Sequence, residues 1–275
     1  MTDPVVIDER VVIGDGRLAI LAGPCALESR ELVLEVATEL RDACARLDVP
    51  YVLKASFDKA NRTSAGSFRS LGFERSLAVL AEVRETLGVP VMTDVHETWQ
   101  IEPVARVADV LQIPAFLCRQ TDLLTTAGES GRAVNVKKGQ FMAAEDMRYA
   151  VEKVRAGGGA RVLLTERGTT FGYRDLVVDF RSLALMRPHA PVIFDATHSV
   201  QSPGGGGGRS GGRREFVAPL ARAAVAFGVD GLFLETHPDP DAALSDGPNM
   251  LALEDVGSLL HECLAIHALR GGVVA

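Results

Sequence analysis

The chain has 275 residues, of which 47% are hydrophobic and 24% are charged, as expected for a globular protein long enough to bury one large core. Its net charge of −7 argues against a general nucleic-acid binder, so nucleic acid is not an expected partner. No run of about 18 apolar residues occurs, and no basic segment precedes an apolar one at the N-terminus, so we expect neither a membrane partner nor a signal peptide.

The first predicted elements are a short β-hairpin and a core strand. Apolar residues at positions 5–7 and 11–13 flank polar ones, and Gly14-Asp15-Gly16 is a turn signal before the apolar run 18–22. We expect the hairpin over residues 4–16 and the first core strand directly after it. Ser29 is a good N-cap for the following helix, because apolar residues then recur at helical spacing as far as Cys44.

The unit of strand, polar turn and helix then repeats along the chain. Each predicted strand is short, rich in β-branched residues and apolar on both faces, as in a covered parallel sheet. The eight strands cover residues 18–22, 51–53, 91–97, 110–114, 133–138, 161–167, 192–195 and 231–235. Helical patterns lie between most of them, for example at 144–155 and 216–227. This order predicts an α/β fold, a (β/α)8 TIM barrel in which residues 1–275 form a single domain.

A doubly wound open sheet is the alternative architecture. It would place a glycine-rich phosphate-binding turn after the first strand, and Gly23-Pro24-Cys25 is not such a turn. The crossover after the third strand is short, so its helix is the weakest part of the barrel pattern.

A polar cluster follows the second strand, where Lys54 ends the apolar run. Residues 54–64 contain two lysines, one arginine, one asparagine and three hydroxyl groups. A lysine supplies a compact positive charge and an arginine a planar fork, which together suit a small ligand with more than one anionic group. The alternative is a solvated basic loop, but such a loop gains nothing from a lysine at the end of a buried strand.

The barrel hypothesis places an active site at the carboxyl ends of the strands. Polar residues do fall at these ends: Cys25, Lys54, Asp94, His96, Gln112, Lys137, Arg167, His198 and Glu235. The cationic members, with Lys59 and less firmly Arg119 and Lys138, predict a pocket for a multiply anionic ligand. The other interpretation is that carboxylates such as Asp94, Glu97 and Glu166 neutralise these cations internally, and the two interpretations are compatible.

Closure of the barrel predicts a metal site, because it brings the eighth strand beside both the seventh and the first. Cys25, His198 and Glu235 then meet, and Asp246 can reach the same corner from the loop after the eighth strand. One thiolate, one imidazole and two carboxylates suit a first-row divalent metal. A lone cysteine is more often a core residue, and a lone histidine a satisfied polar group.

The four cysteines are widely and irregularly spaced, so we expect reduced thiols and a cytoplasmic protein.

The low-complexity run 201–212 contains seven glycines and follows the histidine of the seventh strand. Glycine at this density indicates flexibility, either of a linker between domains or of a lid. Because the flanking strands belong to one barrel, we favour a mobile lid over the site.

Several motifs together identify a family. The residues that carry the resemblance are Gly23-Pro24-Cys25, 54–64, Thr93-Asp94-Val95-His96-Glu97, Asn135-Val136-Lys137-Lys138, Glu166-Arg167-Gly168, Phe194-Asp195-Ala196-Thr197-His198, 235–240 and Asp246-Gly247-Pro248. Along almost its whole length the chain resembles the 3-deoxy-D-manno-octulosonate 8-phosphate synthases. The related 3-deoxy-heptulosonate phosphate synthases share the barrel and the metal corner but resemble residues 58–64 less.

The resemblance implies a transferase that condenses phosphoenolpyruvate with D-arabinose 5-phosphate and water and releases phosphate, in lipopolysaccharide sugar synthesis. It implies catalytic roles for Lys54, Lys59, Asp94, His96, Lys137, Arg167 and His198. The implied substrate-binding residues are Asn61, Arg62, Thr63, Ser64, Gln112, Phe116, Arg119, Lys137 and Arg167. Because Cys25 follows Gly-Pro, the chain resembles the metal-dependent members, with Cys25, His198, Glu235 and Asp246 as ligands of iron, zinc, manganese or cobalt.

The resemblance also implies a homotetramer, since the loop of Arg62 typically serves a neighbouring subunit's site in this family. Two alternatives remain from the sequence. One is a heptulosonate-phosphate synthase that prefers erythrose 4-phosphate, and the other is a non-catalytic sugar-phosphate sensor on the same fold.

Overall fold

Eight parallel strands form a closed barrel in the computed structural model, which describes residues 2–60, 68–173, 175–202 and 211–270. The barrel strands are β1 (Ala19–Gly23), β2 (Tyr51–Lys54), β3 (Val91–Asp94), β4 (Val110–Ile113), β5 (Ala133–Lys137), β6 (Val162–Glu166), β7 (Val192–Asp195) and β8 (Gly231–His237). Each strand pairs with the next, and β8 pairs with β1 through Leu232↔Ile20 and Leu234↔Ala22. The predicted barrel is therefore confirmed and the open-sheet alternative is wrong.

One helix follows each strand. The helices are α1 (Arg30–Arg46), α2 (Phe73–Leu87), α3 (Thr98–Val107), α4 (Thr121–Glu129), α5 (Met147–Ala156), α6 (Arg181–Met186), α7 (Val217–Phe227) and α8 (Leu253–Arg270). Ser29 caps α1 as predicted, because its hydroxyl accepts a hydrogen bond from the Leu32 amide at 3.1 Å. The helix of the short third crossover, α3, is present and begins with a capping box of Glu97 and Gln100.

The barrel encloses a layer of apolar side chains. Alternate strand residues, such as Leu21, Met92 and Phe233, form this inner cluster, while their neighbours pack against the helices. The N-terminal hairpin pairs Val5–Val6 with Val12–Ile13, which confirms the prediction for residues 4–16. Apolar residues of the hairpin belong to the same inner cluster, so the hairpin packs against the barrel interior. Among the described helices, none combines the length and the hydrophobicity that crossing a membrane requires.

Helices α4 and α5 approach each other closely at two glycines, which yields a stability prediction. A β-carbon at Gly128 would lie 2.1 Å from the Val154 carbonyl oxygen, and one at Gly157 would lie 2.0 Å from that of Thr125. We expect Gly128→Ala to destabilise the fold by about 1–3 kcal/mol, because a backbone atom has to move. Thermal unfolding followed by circular dichroism measures this effect.

The matched control is Gly257→Ala in α8, where a β-carbon would have no neighbour within 4 Å. Removing a helix-interior glycine there is expected to stabilise the protein by about 0.5–1 kcal/mol. Equal melting temperatures for the two variants would contradict the close approach of α4 and α5.

Candidate active site

A cavity of about 810 Å³ opens at the carboxyl ends of the barrel strands. The last residues of several strands and the loops after them contribute its polar lining, which includes Lys54, Lys59, Asp94, His96, Gln112, Lys137, Arg167, His198 and Asp246. Phe116 also lines the cavity, from the loop after β4. The prediction that these residues share one mouth agrees with the structure.

The proposed metal ligands converge at one side of this cavity. One donor atom each of Cys25, Glu235 and Asp246 lies within 4.8 Å of the other two. Nε2 of His198 lies 3.5 Å from Oε2 of Glu235 and 3.8 Å from Oδ2 of Asp246, so the imidazole faces the same point. Barrel closure between β7, β8 and β1 brings these four residues together from distant parts of the sequence.

Local backbone geometry positions the Cys25 thiol and the Asp246 carboxylate. Gly23 cannot be replaced without displacing β2, because a β-carbon there would lie 2.2 Å from the Lys54 carbonyl oxygen. Asp246 adopts a left-handed conformation, with φ of 48°, which its short polar side chain tolerates. Sγ of Cys25 lies 2.9 Å from the Ser245 hydroxyl and 3.7 Å from Oδ2 of Asp246. The two loops therefore meet at the candidate metal corner.

The chemistry of these four residues fits a divalent cation. Burial raises the pKa of the Cys25 thiol well above its ordinary value, and the nearby Glu235 carboxylate raises it further. A buried thiol beside two carboxylates is poorly suited to ionise alone, whereas a bound cation stabilises the thiolate. Sulfur, imidazole nitrogen and carboxylate oxygen together form a donor set for a first-row metal.

Two lysines stand beside this corner. Nζ of Lys54 donates to the Ser56 hydroxyl at 2.7 Å and lies 3.5 Å from Asp94 and 3.4 Å from Glu235. Nζ of Lys59 lies 3.5 Å from the same Glu235 oxygen. Burial disfavours the Asp94 carboxylate, but the Lys54 and Lys59 cations outweigh burial and hold its pKa well below the usual range. Asp94 is therefore ionised and acts as a fixed counter-ion.

A second ion-paired group lies on β5 and β7. Lys137 forms a salt bridge with Asp195, and Oδ2 of Asp195 lies 2.7 Å from Nδ1 of His198. Burial lowers the pKa of Lys137, and Asp195 opposes that effect. Asp195 was absent from the predicted site, although it sits at the carboxyl end of β7, as the predicted residues do on their own strands. Its position in the motif Phe194-Asp195-Ala196-Thr197-His198 was the available signal.

Arg167 connects the cationic side of the cavity to the candidate metal corner. Its Nη2 donates to Oε1 of Gln201 at 3.0 Å, and Nε2 of Gln201 lies 3.3 Å from Oδ2 of Asp246. Its Nη1 is buried and has no hydrogen-bond partner among the described residues. Burial lowers the pKa of Arg167 despite the nearby Asp195 and Asp246 carboxylates. An unpaired guanidinium nitrogen in a cavity is suited to an anionic ligand.

Two predicted cations are not brought into the cavity. Arg119 is exposed and does not line it, and its carbonyl oxygen accepts a hydrogen bond from Lys153. Lys138 is buried behind the strand ends, where its ammonium lies 3.4 Å from Glu166 and 3.2 Å from the Thr169 hydroxyl. Glu166 therefore neutralises one of the cations internally, and that cation is Lys138. Lys137 is the last residue of β5 and Lys138 directly follows it, and successive residues of an extended chain point to opposite faces, so the two lysines diverge.

The remaining expectations fall partly outside the described residues. Asn61, Arg62, Thr63 and Ser64 lie there, as does most of the glycine run. Gln201–Ser202 and Gly211–Gly212, the two ends of the run 201–212, form a short antiparallel pair beside the cavity. The lid over the site stays a prediction.

Comparisons with known proteins agree with this barrel and its site. The model of the DAHP synthetase I family matches residues 3–266, and the chain belongs to this family. Proteins named 2-dehydro-3-deoxyphosphooctonate aldolase are similar to this chain over nearly full length. The one from Methylobacterium radiotolerans is 58% identical over 94% of both chains. Those from Cyanothece sp. and Desulfotalea psychrophila are 57% and 55% identical, over 92% and 94% of this chain and 94% and 93% of theirs.

Proposed function

We propose that this chain condenses phosphoenolpyruvate with D-arabinose 5-phosphate and water to give 3-deoxy-D-manno-octulosonate 8-phosphate and phosphate. The name carried by the relatives denotes this synthase activity. The observation that carries the proposal is the meeting of buried cations and a thiol–imidazole–carboxylate cluster in one cavity. The cations suit an enol phosphate that also carries a carboxylate, and the donor cluster suits a metal that activates an aldehyde.

The cationic residues are assigned to phosphoenolpyruvate. They are the cavity-lining Lys54, Lys59, Lys137 and Arg167. They bind the carboxylate and phosphate groups of phosphoenolpyruvate. The free Nη1 of Arg167 supplies a donor that no protein atom uses among the described residues. Because Asp94, Asp195 and Glu235 already compensate the lysines, their ammonium groups are held in place before the ligand arrives.

In the proposed reaction, carbon three of the enol forms a bond to the aldehyde carbon, and the aldehyde oxygen gains a proton. Water adds to carbon two and supplies that proton. Phosphate then leaves the tetrahedral intermediate with cleavage of its carbon–oxygen bond and takes the second proton of the water, so that carbon two becomes a ketone. Cys25, His198, Glu235 and Asp246 would hold iron, zinc, manganese or cobalt, which would polarise the aldehyde or a water. Cationic residues stabilise the charge on the departing phosphate.

The pentose phosphate is assigned to the other side of the cavity. Gln112, His96 and Phe116 line it and are proposed to contact the sugar. Nδ1 of His96 is buried without a partner among the described residues, so it is free to hydrogen-bond a hydroxyl group. Asn61, Arg62, Thr63 and Ser64 are proposed to hold the sugar phosphate on the strength of their motif alone.

We further propose that residues 1–275 act as one domain in a cytoplasmic homotetramer with the glycine run 203–212 as its lid. The family resemblance supports the tetramer. Three large aromatic side chains, Phe116, Phe141 and Tyr173, are exposed on the single chain, which is consistent with a neighbouring subunit covering them. Light scattering coupled to size-exclusion chromatography measures the mass, and a monomer at micromolar concentration would contradict the tetramer.

The function is tested by phosphate release from phosphoenolpyruvate with arabinose 5-phosphate, beside erythrose 4-phosphate as the matched aldose. We expect release only with the pentose phosphate, loss of release after EDTA and return of activity with added metal. Preference for erythrose 4-phosphate would instead make the chain a heptulosonate-phosphate synthase. Release that survives complete metal removal would overturn the metal role and leave the condensation standing.

A further inference from the structure

A belt of buried polar side chains crosses four adjacent barrel strands beneath the cavity. It begins at Thr165 on β6, continues through Asn135 on β5 and Gln112 on β4, and ends at Asp94 on β3. Thr165 and Asn135 have no accessible surface, and neither lines the cavity. Both therefore lie beyond the reach of a ligand, and their polar groups need another explanation.

The hydrogen bonds of the belt run in one direction. The Thr165 hydroxyl donates to Oδ1 of Asn135 at 2.7 Å, and Nδ2 of Asn135 donates to Oε1 of Gln112 at 3.2 Å. Nε2 of Gln112 then donates to Oδ1 of Asp94. Nδ2 of Asn135 also lies 3.8 Å from Sδ of Met92, a weak acceptor.

The charge on Asp94 fixes this direction. An ionised carboxylate only accepts hydrogen bonds, so Gln112 must turn its amino group toward Asp94 and its carbonyl oxygen toward Asn135. Asn135 must then present its amino group to Gln112, which leaves its own carbonyl oxygen for the Thr165 hydroxyl. Reversing either amide would set two acceptors against each other in a buried site.

Asp94 in turn holds Lys54. Its Oδ2 accepts a hydrogen bond from Ser56 and lies 3.5 Å from Nζ of Lys54, which itself donates to Ser56. Lys54 is nearly fully buried yet lines the cavity. Its position thus depends on a carboxylate whose other oxygen is anchored by the belt.

We propose that Asn135 and Thr165 are positioning residues that lock the Gln112 amide against Asp94 and thereby place Lys54 for the anionic ligand. The inference rests on the proposed function in one respect, since it takes phosphoenolpyruvate as that ligand. Neither residue touches the ligand, and each acts through the next member of the belt.

The test compares Thr165→Val with Thr165→Ser. Valine keeps the shape and removes the donor, whereas serine keeps the hydroxyl. We expect Thr165→Val to raise the KM for phosphoenolpyruvate about 10-fold with a smaller change in kcat, because one buried hydrogen bond is lost. Thr165→Ser is expected to stay within about 2-fold of the wild type, and Asn135→Leu to reproduce the effect of valine.

Val136→Ala is the control for general loosening of the barrel. Val136 is a buried residue of β5 that packs toward the helices and takes no part in the belt. It should lower the melting temperature without changing the KM for phosphoenolpyruvate. An unchanged KM in Thr165→Val, or an equal rise in Val136→Ala, would overturn the inference.

A crystal structure of Thr165→Val separates this inference from the proposed function. We expect Nζ of Lys54 to move away from Asp94 whatever reaction the protein catalyses. An unmoved Lys54 would overturn the inference even where the wild type consumes phosphoenolpyruvate. A wild type that consumes none would overturn the proposed function, while a moved Lys54 would still support the belt.

Discussion

Cys25→Ala is expected to lower kcat by at least about 10³-fold and to abolish the recovery of activity when metal is added to the chelated enzyme. Cys25 supplies the sulfur of a donor cluster whose other atoms come from His198, Glu235 and Asp246. A Lewis acid contributes several kcal/mol to the transition state, and each 1.36 kcal/mol is tenfold in rate. Steady-state phosphate release and metal analysis of the purified protein measure the two effects.

Cys44→Ala is the matched control, because Cys44 is a second buried cysteine but lies on α1 in the outer core. Burial raises its pKa to about 12, so it remains a neutral thiol. The control should retain metal and activity while losing some stability. If Cys25→Ala kept a full complement of metal, or if both variants lost activity equally, the metal site at Cys25 would be wrong.

The barrel could be predicted from the sequence because each of its strands leaves a strong local signal. Every strand begins with buried apolar residues, and a polar side chain at its carboxyl end marks the end that faces the cavity, as Lys54 and Lys137 do. Since all strands are parallel, those ends had to converge. The meeting of Cys25, His198 and Glu235 could be predicted from barrel closure, which makes β8 the neighbour of β1.

The parts that sequence could not supply depend on side-chain direction and partners. Arg119 and Lys138 lie near strand ends in the sequence, but one is exposed and the other pairs with Glu166. In the sequence, Asp195 is only the last residue of an apolar strand. Its role depends on contacts with Lys137 and His198 that the folded chain creates. The belt through Asn135 and Thr165 has no periodic signature, because hydrogen-bond direction is set by a partner on another strand.

Asp195→Asn is expected to impair both the candidate metal corner and the candidate anion pocket. As an ionised acceptor, Asp195 requires the proton of the His198 ring to sit on Nδ1, which leaves the lone pair of Nε2 for a metal. An asparagine amide that donates to Nδ1 moves the ring proton to Nε2. We expect metal affinity to fall about 10–100-fold, as for other losses of such a partner. Competition with a fluorescent chelator measures it.

The same substitution should change the pH dependence through Lys137. Burial already lowers the pKa of Lys137, and Asp195 is the nearest group that opposes this. With a neutral asparagine the pKa of Lys137 falls further, so the ammonium is lost at a lower pH. The alkaline limb of kcat/KM for phosphoenolpyruvate, measured at saturating metal, should therefore move to lower pH.

The charge of Asp195 also affects how the stability of the folded protein depends on pH. Burial disfavours the Asp195 carboxylate, but His198 and Lys137 outweigh burial and hold its pKa well below the usual range. The stabilisation is therefore present above the unfolded pKa of about 3.9 and is lost as pH falls toward the folded value. We expect Asp195→Asn to cost about 3–5 kcal/mol at neutral pH, because a buried cation loses its partner. The difference from the wild type should shrink as the pH falls below 4.

Asp109→Asn distinguishes the site effect from the loss of any buried carboxylate. Asp109 accepts the Val91 amide at 3.0 Å and pairs with Arg84 at 2.9 Å, beside the amino ends of the strands and away from the cavity. Its substitution should also lower the melting temperature, but it should leave metal affinity and the alkaline limb where they are in the wild type. If the limb moves equally in both variants, the pH effect reflects general destabilisation and not the charge beside Lys137.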